Sequence, residues 1–207
     1  MIKPGAVLGL FPVAVYQGKI NRSLSTKELD FIHAQKNKSR KSEGNHISNE
    51  RYLLDKPLFK KLKKEMNDHI NIYVRDHLKW VSDTKLFITQ SWLNWTEHRE
   101  FHHIHNHPNS ALSAVFYIDA DPAVDKIQFY HPYLHNFIIR PEVTEFNMFN
   151  SRTWWVGART GDVILFPSSL THSVTTKEGT NTRVSLAFNV FVKGKVGSFD
   201  GLTELIT

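Results

Sequence analysis

The chain has 207 residues, a net charge of +6 and no cysteine. That length suits one full core rather than two, so a single domain over 1–207 is expected. The absence of cysteine excludes disulfides, iron–sulfur clusters and thiolate zinc sites, leaving histidine and carboxylate as the strong metal ligands.

Along the chain, no apolar run approaches the roughly 20 residues of a membrane helix, and no small-residue cleavage site follows the N-terminus. We therefore expect a cytoplasmic protein with no membrane partner. Val7 to Tyr16 is apolar and β-branched and predicts one strand, or two short ones meeting at Pro12. Ser25-Thr26-Lys27-Glu28 has capping-box spacing and predicts a short helix, with Leu29, Ile32 and His33 following at helical steps. Gln35 to Asn49 is polar and basic and predicts a loop. Leu58, Phe59, Leu62, Met66, Ile70, Tyr73, Val74 and His77 recur at steps of three and four, which predicts a long amphipathic helix. The basic run Lys36–Lys41 has no aromatic residues among its charges and Lys56–Lys64 lies on one face of the helix, so both read as solvated surface rather than a nucleic-acid groove.

From Leu86 the period changes to two. Leu86–Trp95, Ala111–Asp119, Lys126–Tyr130, Val143–Phe149, Val163–Phe166 and Val184–Val192 all read as strands separated by turn signals. Such spacing predicts a mainly β, antiparallel double sheet with the two helices covering one face. The long aromatic segment His131–Trp155 reads as a lid, where His131 and His135 are candidate substrate contacts.

Of the 12 histidines, His33, His46, His69, His77 and His98 read as surface or edge residues. His102, His103, His105 and His107 form a cluster suited to metal binding. His105 and His107 share strand parity and immediately precede an apolar strand, so their rings can converge on one ion. His103 shares that parity one step further back, and His102 is expected to point away. His172 follows the apolar run Val163–Leu170, with Arg183 and Ser185 on the next strand-like segment.

The ordered set Leu10-Phe11-Pro12, Trp92-Leu93-Asn94, His105-Asn106-His107-Pro108, Ser113-Ala114-Val115-Phe116-Tyr117, Phe166-Pro167-Ser168, His172, Arg183-Val184-Ser185 and Phe188-Asn189 resembles a 2OG-Fe(II) oxygenase family, the His-x-His-Pro variant, from about Leu10 to Val190. The resemblance implies a double-stranded β-helix (jelly-roll, cupin-like) fold. It implies the co-substrates 2-oxoglutarate and O2, and Fe(II) held by His105, His107 and His172. Arg183 would grip the distal carboxylate of 2-oxoglutarate with two parallel charge-assisted bonds, aided by Ser185 and Tyr117. Asn94 or Asn189 would orient the bound groups, and Trp92, Asn94 and Phe129 would wall the cavity. The implied activity is a dioxygenase that hydroxylates a C–H bond with release of succinate and CO2. The primary substrate is open among a protein side chain, a nucleic acid and a metabolite, and a homodimer is compatible. The alternative is a cupin-like metal- or ligand-binding module without oxygenase turnover.

The sequence departs from the pattern at Ala114, where the family has glycine, and His107 stands where the wider superfamily has a carboxylate. Glu97, Glu100, Asp119 and Asp121 are the alternative sources of a carboxylate ligand.

Overall fold

The computed structural model describes residues 5–81, 84–132, 139 and 141–207. The capping box forms as the sequence predicts. The Glu28 amide donates to Ser25 Oγ at 3.3 Å, and the Ser25 amide donates back to Glu28 Oε2 at 2.8 Å. They start α1 (Thr26–Lys36), which buries Ile32. The second helix begins from a 3-10 turn at Pro57–Phe59, runs as α2 (Lys60–Ile72) and ends in a π-helical turn over Tyr73–His77. Its apolar stripe of Leu62, Met66, Ile70, Tyr73 and Val74 is almost wholly buried. Burial of this order makes a Leu62→Ala change cost about 2–5 kcal/mol.

The remaining elements are strands: β1 (Tyr16–Lys19), β2 (Arg40–Lys41), β3 (His46–Ile47), β4 (Lys85–Thr96), β5 (His102–His105), β6 (Leu112–Asp119), β7 (Lys126–Tyr130), β8 (Thr153–Gly157), β9 (Asp162–Pro167), β10 (His172–Val174), β11 (Arg183–Lys193), β12 (Lys195–Val196) and β13 (Leu205–Ile206). They build a seven-stranded sheet ordered β1-β9-β6-β11-β4-β3-β2 and a four-stranded sheet ordered β5-β10-β7-β8; β12 and β13 form a separate hairpin. All the strand pairs of the two sheets are antiparallel.

Strand alternation divides the larger sheet into two chemically different faces. Leu93, Trp95, Phe116, Val184 and Leu186 join Ile32, Leu62 and Met66 in one apolar cluster, which places both helices on the outer face. The inner face carries Asn94, Ser185, Tyr117 and Arg183, opposite the smaller sheet.

Three expectations change before β4. The strand expected over Val7–Tyr16 starts only at Tyr16, where β1 pairs with β9; Val7, Leu8, Leu10 and Phe11 are exposed, and Phe11 has φ 58°. The apolar residues there have no strand beside them, and Pro12 has no N–H to donate. The polar stretch Gln35–Asn49 contains the two short strands β2 and β3, the latter docked on β4. His69, expected at the surface or an edge, is half-buried, with Nδ1 2.8 Å from the Tyr16 hydroxyl. Lysines of both basic runs pair with acids outside them, as Lys36–Glu97, Lys56–Glu50, Lys63–Asp55 and Lys64–Asp68.

The lid segment ends in β8 rather than continuing irregularly to Trp155, and the strand expected over Val143–Phe149 is a run of turns instead. The His131 amide donates to the Arg152 carbonyl at 2.8 Å. His135 lies outside the described residues.

Candidate active site

Pairing of β5 with β10 sets His105 directly opposite His172. His107 follows the end of β5, where its amide donates to the Ser168 carbonyl at 3.0 Å. The three rings then face one another, with centroids 4.3 Å apart for His105–His172, 5.0 Å for His105–His107 and 5.2 Å for His107–His172. One ring nitrogen from each lies within 4.8 Å of the others, close enough for one ion.

Two of these rings have their tautomer fixed by the backbone. His105 Nδ1 lies 2.8 Å from the His103 carbonyl and His172 Nδ1 lies 2.9 Å from the Leu170 carbonyl. A carbonyl only accepts, so each Nδ1 carries the proton and each Nε2 keeps a free lone pair. Burial lowers the His105 pKa; burial and the neighbouring imidazoles push His107 down to about 4 and His172 to about 3. At neutral pH all three rings are therefore uncharged, the form a metal binds.

No carboxylate joins this group among the described residues. Glu97 is paired with Lys36 at 2.5 Å and accepts from Thr182 at 2.7 Å; Glu100 accepts from the Glu97 amide at 2.9 Å. Asp119 and Asp121 are exposed, so all four alternatives point elsewhere.

His102 overturns its expectation. Its ring stacks on His105 at 4.6 Å and lines the same cavity. The reason is a register shift: β10 advances two residues, from His172 to Val174, while β5 retreats three, from His105 to His102. Such an irregularity breaks the alternation on which a parity argument rests. His102, His103 and His105 also have ligand spacing. They share His105, whose Nδ1 is already bonded to a carbonyl, so this group and the first cannot be filled together.

At the other end of the cavity, Arg183 is 4% exposed and its Nη2 donates to Thr96 Oγ1 at 2.9 Å. Its Nη1 lies 3.9 Å from Asp125 Oδ1, the same oxygen that accepts from Lys177 Nζ at 2.8 Å. Ser185 sits in register between Asn94 on β4 and Tyr117 on β6. Burial raises the Tyr117 pKa to about 12, so its phenol stays a proton donor. Among the described residues, Asn94 Oδ1 is buried with no hydrogen-bond partner. Thus Arg183, Ser185, Tyr117 and Asn94 share the cavity with the histidines.

Trp92 and Asn189 also line the cavity, Asn189 accepting from Ser113 at 2.9 Å. Phe129 is not among its walls; it packs behind Phe166 and borders a neighbouring groove. Ala114 is buried where the family has glycine. Sequence spacing marks none of Asn45, Asp125 and Lys177, and strand parity places His102 on the wrong face. Asn45 sits in a polar stretch with no periodicity to mark it. Asp125 and Lys177 gain meaning only from each other, 52 positions apart.

The donor set fits a divalent metal with an anionic co-ligand: neutral imidazoles lie at one end, a buried guanidinium at the other, and an unpartnered amide oxygen between strands. Residues 90–189 match the family described as "Putative 2OG-Fe(II) oxygenase". Among curated proteins, none matches the chain in sequence. Solved structures share the fold. A 2OG-Fe(II) oxygenase-family oxidoreductase from Burkholderia pseudomallei is 16% identical, with TM-score 0.54 over 84% of this chain and 83% of that one. HygX from Streptomyces hygroscopicus, with nickel, 2-oxoglutarate and hygromycin B bound, is 15% identical, with TM-score 0.56 over 86% and 82%. A Pseudomonas putida prolyl-4-hydroxylase is 12% identical, with TM-score 0.59 over 88% and 94%. The matched block carries most of the cavity, from Trp92 to Asn189, with Asn45 outside it; over these residues the chain is similar to the 2OG-Fe(II) oxygenases, enzymes dependent on Fe(II), 2-oxoglutarate and O2.

Proposed function

We propose that His105, His107 and His172 hold the iron, and that Arg183, Ser185, Tyr117 and Asn94 receive 2-oxoglutarate, in an enzyme that hydroxylates a C–H bond of its substrate. When bound, iron and 2-oxoglutarate together activate O2 and supply the oxidising chemistry, with succinate and CO2 released. The observation that carries this reading is the pairing, in one cavity, of three converging imidazoles with a buried arginine.

The chain's own groups divide the work. Fixed Nε2 lone pairs on His105 and His172 bind without reorganising, because their Nδ1 protons are already committed to carbonyls. Three neutral imidazoles cancel none of the ion's charge, so the dianionic co-substrate contributes more to holding it than where a carboxylate is a ligand. The planar guanidinium of Arg183, steadied by Thr96, presents a fork to a carboxylate. Tyr117 and Ser185 supply hydroxyl donors to the same group, and the buried walls exclude water.

A cupin-like binding module would need the histidines but would have no use for Arg183 and Ser185 inside the cavity. Anaerobic titration with Fe(II) and 2-oxoglutarate separates the two readings. A weak visible charge-transfer band is expected from the wild-type protein and not from Arg183→Ala or His172→Ala. On admission of O2, succinate should form. A wild-type protein that gives neither band nor succinate would leave the binding module as the better account.

Two structural neighbours are named as prolyl hydroxylases, one of them solved with a peptide fragment, and HygX was solved with hygromycin B. That range is consistent with a cavity whose shared part is the co-substrate end, with the substrate read by residues peculiar to each chain.

A further inference from the structure

We propose that Asn45 is a co-substrate-binding residue, its side-chain amide donating to the distal carboxylate of 2-oxoglutarate beside Arg183; this rests on the reading of the cavity given above. Asn45 is 1% exposed and lines the cavity. Among the described residues, neither its Oδ1 nor its Nδ2 has a hydrogen-bond partner. A buried primary amide left wholly unpaired is costly, and in native structures such a group is ordinarily answered by a water or a ligand.

The surrounding loop is built to deliver this side chain. The Ser42 amide donates to the Asn45 carbonyl at 2.7 Å, and the Phe101 amide donates to the Gly44 carbonyl at 2.9 Å. Gly44 has φ +93°, and a Cβ there would come 2.7 Å from the Phe101 carbonyl oxygen, so only glycine lets the loop close so tightly on the chain leading into β5. The backbone is thus engaged and the amide alone is left over.

Register gives the position. His46 pairs with Trp95, which sets Asn45 level with Thr96, the residue whose hydroxyl accepts from Arg183. The amide therefore stands at the guanidinium end of the cavity, not at the imidazole triad. The chemistry also matches: a carboxylate is acceptor-only, with about four lone-pair sites. A guanidinium fork fills two of them, and Asn45 Nδ2 stands with the Ser185 and Tyr117 hydroxyls as a donor for the other two.

The test is an anaerobic titration of the Fe(II)-loaded protein with 2-oxoglutarate and, in parallel, with 2-oxovalerate, which has a methyl in place of the distal carboxylate. For Asn45→Ala we expect the 2-oxoglutarate Kd to rise about tenfold, the low end for one hydrogen bond to a charged group, with Fe(II) and 2-oxovalerate binding unchanged. Asn45→Asp, nearly identical in shape, sets a second negative charge against the carboxylate and should raise the 2-oxoglutarate Kd by about a hundredfold or more, again sparing 2-oxovalerate. Wild-type 2-oxoglutarate affinity in both variants overturns the inference, leaving a water or the primary substrate as the partner of Asn45. So does an equal loss for the two oxo acids, which marks a structural role. A wild-type protein that binds no 2-oxoglutarate at all instead overturns the reading of the cavity on which the inference stands.

Discussion

The two ends of the cavity are positioned by opposite means. At the imidazole end, each anchored ring is fixed by a carbonyl two residues earlier in its own strand or the turn before it: His103 for His105 and Leu170 for His172. The groups are neutral and the anchors local. At the guanidinium end, Arg183 rests on Thr96, 87 positions away, and Lys177 rests on Asp125, 52 positions away. Here the groups are charged and held across the stack of strands. Deep burial of charge is tolerated only when each charge has a partner. Damage at the first end should therefore stay local and remove function. Damage at the second should spread to the stability of the fold.

The largest effect expected is on iron. His172→Ala removes a proposed ligand, so Fe(II) affinity should fall by more than about a hundredfold, beyond the cost of losing a group that merely supports a ligand. The unfolding free energy should change by less than about 2 kcal/mol, since one neutral hydrogen bond is lost. Equilibrium dialysis and denaturant unfolding on the same variant measure both. Next comes Asp125→Asn. It leaves Lys177 and Arg183 buried with their shared counter-charge gone, and should lower stability by about 3–5 kcal/mol, a large part of the 5–15 kcal/mol typical of a domain. An Asp125→Asn protein as stable as the wild type would erase the contrast between the two ends.

Arg183→Ala follows. Loss of a two-bond charged contact should weaken 2-oxoglutarate by about a hundredfold, while Fe(II) binding in the absence of 2-oxoglutarate stays as in the wild type. Arg183→Lys should recover little, because an ammonium has no planar fork. Isothermal titration with each ligand in turn reads the difference. Equal damage to metal and co-substrate binding would mean that the two ends are not separable.

The same contrast explains what the sequence could and could not say. Local devices are legible: the Ser25–Glu28 capping box, the helical stripe from Leu62 to Val74, and the His-x-His pair each sit within one short stretch of chain. Their physics depends on spacing along one backbone. Arg183 could be placed only because a family resemblance supplied 2-oxoglutarate as its partner. Asn45, Asp125 and Lys177 have roles that exist only once distant strands are brought together, so no window of sequence displays them. His102 was misread for a related reason. The parity rule is sound within a regular strand, but the irregular pairing of β5 with β10 is set by β10, some seventy residues downstream in the chain. The opening apolar stretch failed in the other direction, since Val7 to Val15 has strand composition but no neighbouring strand to pair with.

The smallest expected effect concerns His107, the proposed ligand with least support. His105 and His172 are held by ring hydrogen bonds to carbonyls, whereas His107 is steadied by its amide on Ser168 and by its ring against Trp92 at 5.9 Å. A ligand so held loses more side-chain entropy on binding, so it contributes less than its neighbours. His107→Ala should weaken Fe(II) by about tenfold, the low end of what even a supporting group is worth, while the two anchored rings keep the ion in place. His107→Asp would test the charge argument at the same position. A carboxylate there cancels one unit of the ion's charge, so the variant should depend less on 2-oxoglutarate to retain iron. The quantity to compare is the ratio of iron affinities with and without the co-substrate, which should shrink relative to the wild type. Unchanged iron affinity in His107→Ala would strike that ring from the ligand set and leave two imidazoles to hold the metal.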